Sequence, residues 1–228
     1  MRIHREGRKQ VIGGLAGMAL LNAGLFYFLS SLVVPVIVLC LSLFGAYTLI
    51  SFYKEPHKPA PPRREGYINS PNDGKVVAIE RVFEKDFLQT HCIQISVYMT
   101  FFNAHSNWVP VTGKVTHVSH RAGNYHLAYL PKSSCENEHS NIVIVPPQGP
   151  PILTRQIAGA FARRIVTYLH EGQEVISGEP LGFIKFGSRM DVFIPEDSEV
   201  LVKIGDQVRA NKTYLARLNN AQWTINNG

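Results

Sequence analysis

The chain has 228 residues, 23 of them Lys or Arg against 17 Asp or Glu, for a formal charge of +6; that length leaves room for one globular domain and an appendage. Its 3 cysteines, Cys40, Cys92 and Cys135, have neither paired metal-ligand spacing nor a disulfide framework. This excludes a disulfide-stapled secreted module and a zinc site, and suits a reducing compartment. The positive charge brackets an apolar stretch, with no recognition helix, zinc knuckle or aromatic RNA-binding signature, so nucleic-acid binding is set aside.

Arg2, Arg5, Arg8 and Lys9 open the chain, and no charged side chain follows from Val11 to Tyr53, roughly twice the ~20 residues that one spanning helix needs. Ser30 and Ser31 interrupt the stretch and Pro35 soon follows. Residues 1–53 therefore read as a membrane anchor of two helices, about 11–29 and 32–52, joined by a short turn. Basic residues at both outer ends predict a hairpin with both ends on the cytoplasmic side of the plasma (inner) membrane, drawn to its anionic surface. A cleaved signal peptide fits poorly, because the stretch is too long and no cleavage site closes it. One long tilted or broken helix is the alternative, and would put the C-terminal domain on the opposite side of the membrane from the N-terminus.

Residues 54–65 include Pro56, Pro59, Pro61 and Pro62 among Lys54, Lys58, Arg63 and Arg64, a proline-rich basic connector that acts as a semi-rigid spacer. Beyond it, residues 66–228 alternate short β-branched and apolar runs with Gly, Pro and Asn. Strands are expected over Lys75–Arg81, Ile93–Met99, Gly113–His120, Ile142–Val145, Pro180–Phe186, Met190–Ile194 and Glu199–Ile204. Arg155–Leu169 can hold a short helix, although Gly159 and the β-branched Ile165, Val166 and Thr167 argue against it. The fold class expected is α+β, mainly β: a compact, barrel-sandwich-like catalytic domain behind a transmembrane helical hairpin.

The dipeptide Gly187-Ser188, between two strand-like runs, bears the chemistry. Glycine permits close approach and unusual backbone angles, so the Ser188 hydroxyl can attack the Gly187 carbonyl and convert the peptide bond to an ester. Elimination then leaves dehydroalanine, which hydrolyses to a pyruvoyl group and ammonia. Gly-Ser is also an ordinary turn dipeptide, so the surrounding motifs decide. They are Phe52-Tyr53-Lys54-Glu55-Pro56; Ser70-Pro71-Asn72-Asp73-Gly74-Lys75-Val76; Phe102-Asn103-Ala104-His105 through Pro110-Val111-Thr112-Gly113; Glu136-Asn137-Glu138; Arg155-Gln156-Ile157-Ala158-Gly159 with Ala162-Arg163-Arg164-Ile165; and Gly178-Glu179-Pro180-Leu181-Gly182 leading into Phe186-Gly187-Ser188-Arg189. In this order, behind an anchor, they resemble the phosphatidylserine decarboxylases in their short, membrane-associated form, over Phe52 to about Leu218.

The resemblance implies a carboxy-lyase that cuts itself between 187 and 188 into a β chain (1–187) and an α chain (188–228), which stay associated. Its covalent cofactor would be a pyruvoyl group from Ser188, with no metal. Phosphatidylserine in the bilayer would form a Schiff base with it, lose CO2 and leave as phosphatidylethanolamine. Asp73, in a sequence that is by itself a turn, is implied to orient a base or act as one. His105 is implied as the general acid that returns a proton to the substrate. The chain departs from the longer members: Trp108 stands where they have a second histidine, and Asn103-Ala104 replaces an Asp-Tyr pair, so a protease-like triad does not transfer whole and the base for self-cleavage stays open between Asp73 and His105. His139 replaces an arginine usual in short members. Arg155, Arg163 and Arg164 are candidates for the substrate phosphate or carboxylate, or else a solvated basic surface. Phe101 and Phe102 are expected in the core; Trp108 fits either core or membrane interface.

A rival reading takes Gly66–Val82 and Glu199–Leu218, with Lys203-Ile204-Gly205-Asp206-Gln207-Val208, as the two halves of a lipoyl- or biotinyl-like barrel-sandwich in a membrane-anchored adaptor without catalysis. It accounts for the anchor and the β pattern. It leaves Phe186-Gly187-Ser188-Arg189 and Glu136-Asn137-Glu138 unexplained.

Overall fold

A computed structural model of the chain describes residues 2–55, 64–100, 103–124, 126, 133–159, 164–184 and 188–219, in two units, Met1–His57 and Lys58–Gly228. In the first, β1 (Arg2–Ile3) is followed by α1 (Arg8–Phe28), α2 (Val33–Phe52) and β2 (Lys54–Glu55). Both helices are long and apolar enough to cross a membrane. They run antiparallel: Gly14 lies against Leu49, Asn22 against Ser42. The Asn22 Nδ2 donates to Ser42 Oγ (2.8 Å) and to the Met18 carbonyl (2.7 Å), the kind of polar link that holds helices together where lipid offers no hydrophobic drive. β1 pairs with β2, so the two outer ends meet and the single-helix alternative is excluded.

The second unit has β3 (Tyr67–Asn69), β4 (Gly74–Glu84), β5 (Thr90–Met99), β6 (Ser106–Trp108), β7 (Gly113–Arg121), the short α3 (Ser133–Glu136), β8 (His139–Val145), β9 (Ile152–Ala158), β10 (Ile165–Thr167), β11 (Glu174–Val175), β12 (Pro180–Ile184), β13 (Ser188–Pro195), β14 (Glu199–Val200), β15 (Gln207–Val208) and β16 (Tyr214–Arg217). Eight strands form one sheet in the order β11-β7-β8-β9-β13-β5-β4-β15, antiparallel between neighbours and curled into a half-barrel. Two three-stranded sheets, β10-β12-β6 and β14-β16-β3, accompany it. The domain is mainly β, as expected.

Two expectations are corrected. The helix considered within Arg155–Leu169 is not formed over the described part: Arg155–Ala158 lies in β9, an interior strand paired with both β8 and β13, and Ile165–Thr167 forms β10. Two pairing partners outweigh a weak helical preference. The strand expected to Ile204 stops at Val200, because the chain turns at Gly205, whose φ of 101° suits glycine. The strand from Pro180 reaches Ile184; Lys185 and Phe186 lie outside the described residues. The segments that suggested a barrel-sandwich do pair, β3 with β16 and β4 with β15.

Side chains of an antiparallel sheet alternate between its faces, and directly paired residues share a face. One face, with Val76, Val97, Met99, Ile142, Ala158, Met190 and Val192, joins the main apolar core. The other carries a smaller apolar cluster, Cys92, Val143, Leu153 and Phe193, and a buried polar network.

Candidate active site

Ser188 is the first residue of β13 and pairs with Met99 at the end of β5 and Ala158 at the end of β9. Fully buried, it sits where the ends of interior strands gather. Asp73 stands at the same end, immediately before β4, whose Lys75 pairs with Tyr98. Its Oδ1 accepts the Ala210 N–H at 2.9 Å, bracing the turn that the sequence implied. His105 is fully buried between β5 and β6. Its carbonyl accepts the Ile184 N–H (3.2 Å), four residues before Ser188, and its Nδ1 lies 2.9 Å from the Asn103 carbonyl. The Trp108 N–H donates to the Pro71 carbonyl at 2.8 Å, which ties the histidine segment to the Asp73 loop. Trp108 is buried, which decides it for the interior. Gly187, Arg163, Phe101 and Phe102 lie outside the described residues.

Ser188 points into the main core with Met99, and its Oγ lies 3.7 Å from Met99 Sδ; among the described residues it makes no hydrogen bond to Asp73 or His105. Around it runs a row of buried polar groups. Asn107 Nδ2 meets the same sulfur at 3.9 Å, Gln156 Nε2 donates to Asn107 Oδ1 at 2.9 Å, and Thr167 Oγ1 donates to Gln156 Oε1 at 2.7 Å. Two glycines of the 178–182 motif serve this arrangement. Gly178 takes φ 91° at the turn into β12, and a Cβ on Gly182 would collide with the Val166 carbonyl and stand 2.6 Å from Gln156 Nε2.

The opposite face is ionic. Arg189 grips Asp191 with two hydrogen bonds, at 2.6 and 2.8 Å, and the Asp191 Oδ2 also accepts from Ser134 Oγ (2.6 Å) and Gln94 Nε2 (3.1 Å). Arg155, the register partner of Asp191, lies here too. Its guanidinium donates to Asn141 Oδ1 (2.6 Å) and the Ser134 carbonyl (3.3 Å), pairs with Glu84 at 3.4 Å, and stacks 4.9 Å from the centre of the Phe193 ring. Arg155 is therefore neither a solvated surface charge nor on the face that Ser188 occupies, and the structure does not bring it to Ser188. Arg164 is exposed at the start of β10. His139, paired with Ile157, points to this second face; burial lowers its pKa below 6.5, only partly offset by its hydrogen bond to the Asn137 carbonyl at 2.6 Å. Burial also pushes the Cys92 thiol up to about 11, which leaves it protonated and inert.

A cleft of about 370 Å³, lined by Tyr67, Val111, Pro146, Ile176 and Leu218 among others, opens far from Ser188. Pro146 follows the last residue of β8, the strand that His139 begins, so one strand length of about 20 Å separates the two ends. Asn107 and Gln156 lie within the sequence motifs, yet sequence reasoning assigned them no role. Part of the signal was available: Asp191 is a polar interruption between Met190 and Val192 in a strand, and a buried polar group of that kind requires partners.

The family model described as phosphatidylserine decarboxylase matches residues 47–216. Similar curated proteins, each named phosphatidylserine decarboxylase proenzyme, include those of Porphyromonas gingivalis (46% identical over 223 residues, 96% of this chain and 99% of the relative), Parabacteroides distasonis (42% over 218 residues, 96% and 99%) and Bacteroides thetaiotaomicron (41% over 219 residues, 96% of each).

Proposed function

The chain belongs to the phosphatidylserine decarboxylase family, and from that membership we propose that it cuts itself between Gly187 and Ser188 and converts phosphatidylserine to phosphatidylethanolamine and CO2 at a pyruvoyl group made from Ser188. The observation that carries this reading is the placement of Ser188: directly after a glycine in sequence, fully buried, and first in an interior strand where the His105 segment and the Asp73 loop are tied together. The site fits such a group, since its precursor is Ser188 itself and buried amides stand near the Ser188 side chain. The chemistry supplied is that of an electron sink: a ketone that condenses with a primary amine and accepts the electron pair released as CO2 departs.

The remaining work falls to the chain's own residues. His105 holds the proton returned to the substrate α carbon, and the buried setting of Ser188 shields the reacting atoms from bulk solvent. Asp73 or His105 takes the Ser188 hydroxyl proton during maturation. The exposed Arg164, with Arg163 beside it in sequence, faces the substrate's phosphate or carboxylate, a role for which Arg155 is poorly placed. The fragment 188–228 contributes β13 to β16, each paired with a strand that precedes the cut or with another that is, so both chains remain associated. The helical hairpin holds the enzyme in the plasma membrane with the catalytic domain on the cytoplasmic side, confining enzyme and lipid to the same surface.

Intact-mass measurement on the purified protein tests this. Two polypeptides divided at 187/188 are expected, the smaller without a free N-terminal amine, and Ser188→Ala should stay one chain and release no CO2. An uncut wild-type protein that decarboxylates the lipid would overturn the pyruvoyl reading.

A further inference from the structure

Ser188 and Asn107 rest on one atom. Met99 Sδ is 3.7 Å from Ser188 Oγ and 3.9 Å from Asn107 Nδ2, and all three residues are fully buried. A thioether is a weak acceptor, so among the described residues the Asn107 Nδ2, a strong donor in a buried setting, meets only a poor partner, an arrangement that costs free energy. That amide is one end of a row of hydrogen bonds. Thr167 donates to Gln156 Oε1, and Gln156 Nε2 donates to Asn107 Oδ1, which leaves Nδ2 as the end that meets Met99 Sδ. Were the row reversed, Asn107 Oδ1 would face the sulfur, acceptor against acceptor. Gly182 keeps the row in place, because any side chain there would crowd Gln156 Nε2.

We propose that Asn107 Nδ2 is a catalytic donor for maturation, taking the Ser188 oxygen as it leaves, with Gln156 and Thr167 as positioning residues. The proposal rests on cleavage at Ser188. In the first step Ser188 Oγ adds to the Gly187 carbonyl carbon and its proton passes to a base; the C–N bond then breaks and the nitrogen takes a proton, giving an ester. Oγ gives up electron density in that step, so a hydrogen-bond donor to it offers no assistance. In the second step a base removes the Ser188 Cα proton, the freed pair forms the Cα=Cβ bond, and Cβ–Oγ breaks. Oγ leaves with the bonding pair as part of the Gly187 carboxylate. Charge builds on Oγ here, and a preorganised amide N–H stabilises it. The dehydroalanine then tautomerises to an imine, water adds and ammonia departs. Met99, unbranched and flexible, can yield its place to that contact.

The expected signature is a stalled ester. Asn107→Leu should form the pyruvoyl end about 10²–10³-fold more slowly, the loss seen when one oxyanion donor is removed, and should accumulate a chain that hydroxylamine splits into a Gly187 hydroxamate and a fragment with a free Ser188 amine. Gln156→Leu should show the same ester with a smaller delay. Maturation of Asn107→Leu at the wild-type rate, or a stall as a chain that hydroxylamine leaves whole, would overturn the proposal. If Asn107→Leu does not fold, Asn107→Leu/Gln156→Leu, which removes both partners of the buried hydrogen bond, is read by the same criteria. Ser188→Ala separates the two readings. Decarboxylation by that variant overturns the role of Ser188 itself, whereas an inert Ser188→Ala beside a fully competent Asn107→Leu removes only Asn107.

Discussion

The two faces of β13 are built on different principles. On one, Ser188, Met190 and Val192 enter an apolar core, and the Ser188 hydroxyl lies 3.7 Å from the Met99 sulfur. On the other, Arg189 and Asp191 enter a network of charge-assisted bonds as short as 2.6 Å that continues through Ser134 to Arg155 and Glu84. The strand is thus fixed from the side away from the Ser188 hydroxyl. A buried ion pair holds position well because losing one partner strands the other's charge, while a soft apolar contact lets a side chain rearrange at little cost.

This contrast predicts that changes near Ser188 alter chemistry and changes behind it alter stability. The largest effect is expected for His105→Ala, whose fully matured form should release CO2 about 10²–10⁴-fold more slowly per pyruvoyl group; undiminished turnover would move the proton donor elsewhere. Next comes Arg155→Met, which leaves Glu84 buried without its partner and should lower unfolding free energy in urea by about 3–5 kcal/mol. Much of that loss should return in Arg155→Met/Glu84→Leu, where no charge is stranded. A substrate-binding Arg155 would instead raise KM with stability intact.

A smaller effect concerns His139. Its folded pKa is depressed below 6.5 by burial, so below about pH 6.5 the unfolded chain takes up a proton that the folded chain resists. Stability should therefore fall as pH drops through that value and on toward the folded pKa, and His139→Gln should flatten the melting-temperature profile there; an unchanged slope would mean that His139 protonates freely in place. The smallest effect is chemical. With its thiol at about 11, Cys92 should resist iodoacetamide at neutral pH until the protein is denatured, as counted by mass; prompt labelling of the native protein would show that the second face opens.

Much was legible without coordinates. The uncharged run from Val11 to Tyr53 specified two helices because length and apolarity alone satisfy a bilayer's demands. Most strands of the domain were visible as β-branched runs between turn residues, and the Asp73-Gly74 segment is a bend as its residues implied. The buried setting of Arg155 was not legible, because a charged residue in sequence looks exposed until its partners are known. Glu84, which it meets, is 71 positions away, and Asp191, its neighbour in register, is equally invisible from local pattern.

Sequence alone determined the two long apolar helices, the β character of the domain and the dipeptide at which cleavage is proposed, since each depends on residue types in a short window or on motif order. Only the tertiary structure decided which face each side chain of β13 takes, that Arg155 belongs behind the sheet, and that Asn107 and Ser188 share one sulfur. The reason is physical: pleat and register set those relations, and both are fixed by hydrogen bonds between strands that lie far apart along the chain.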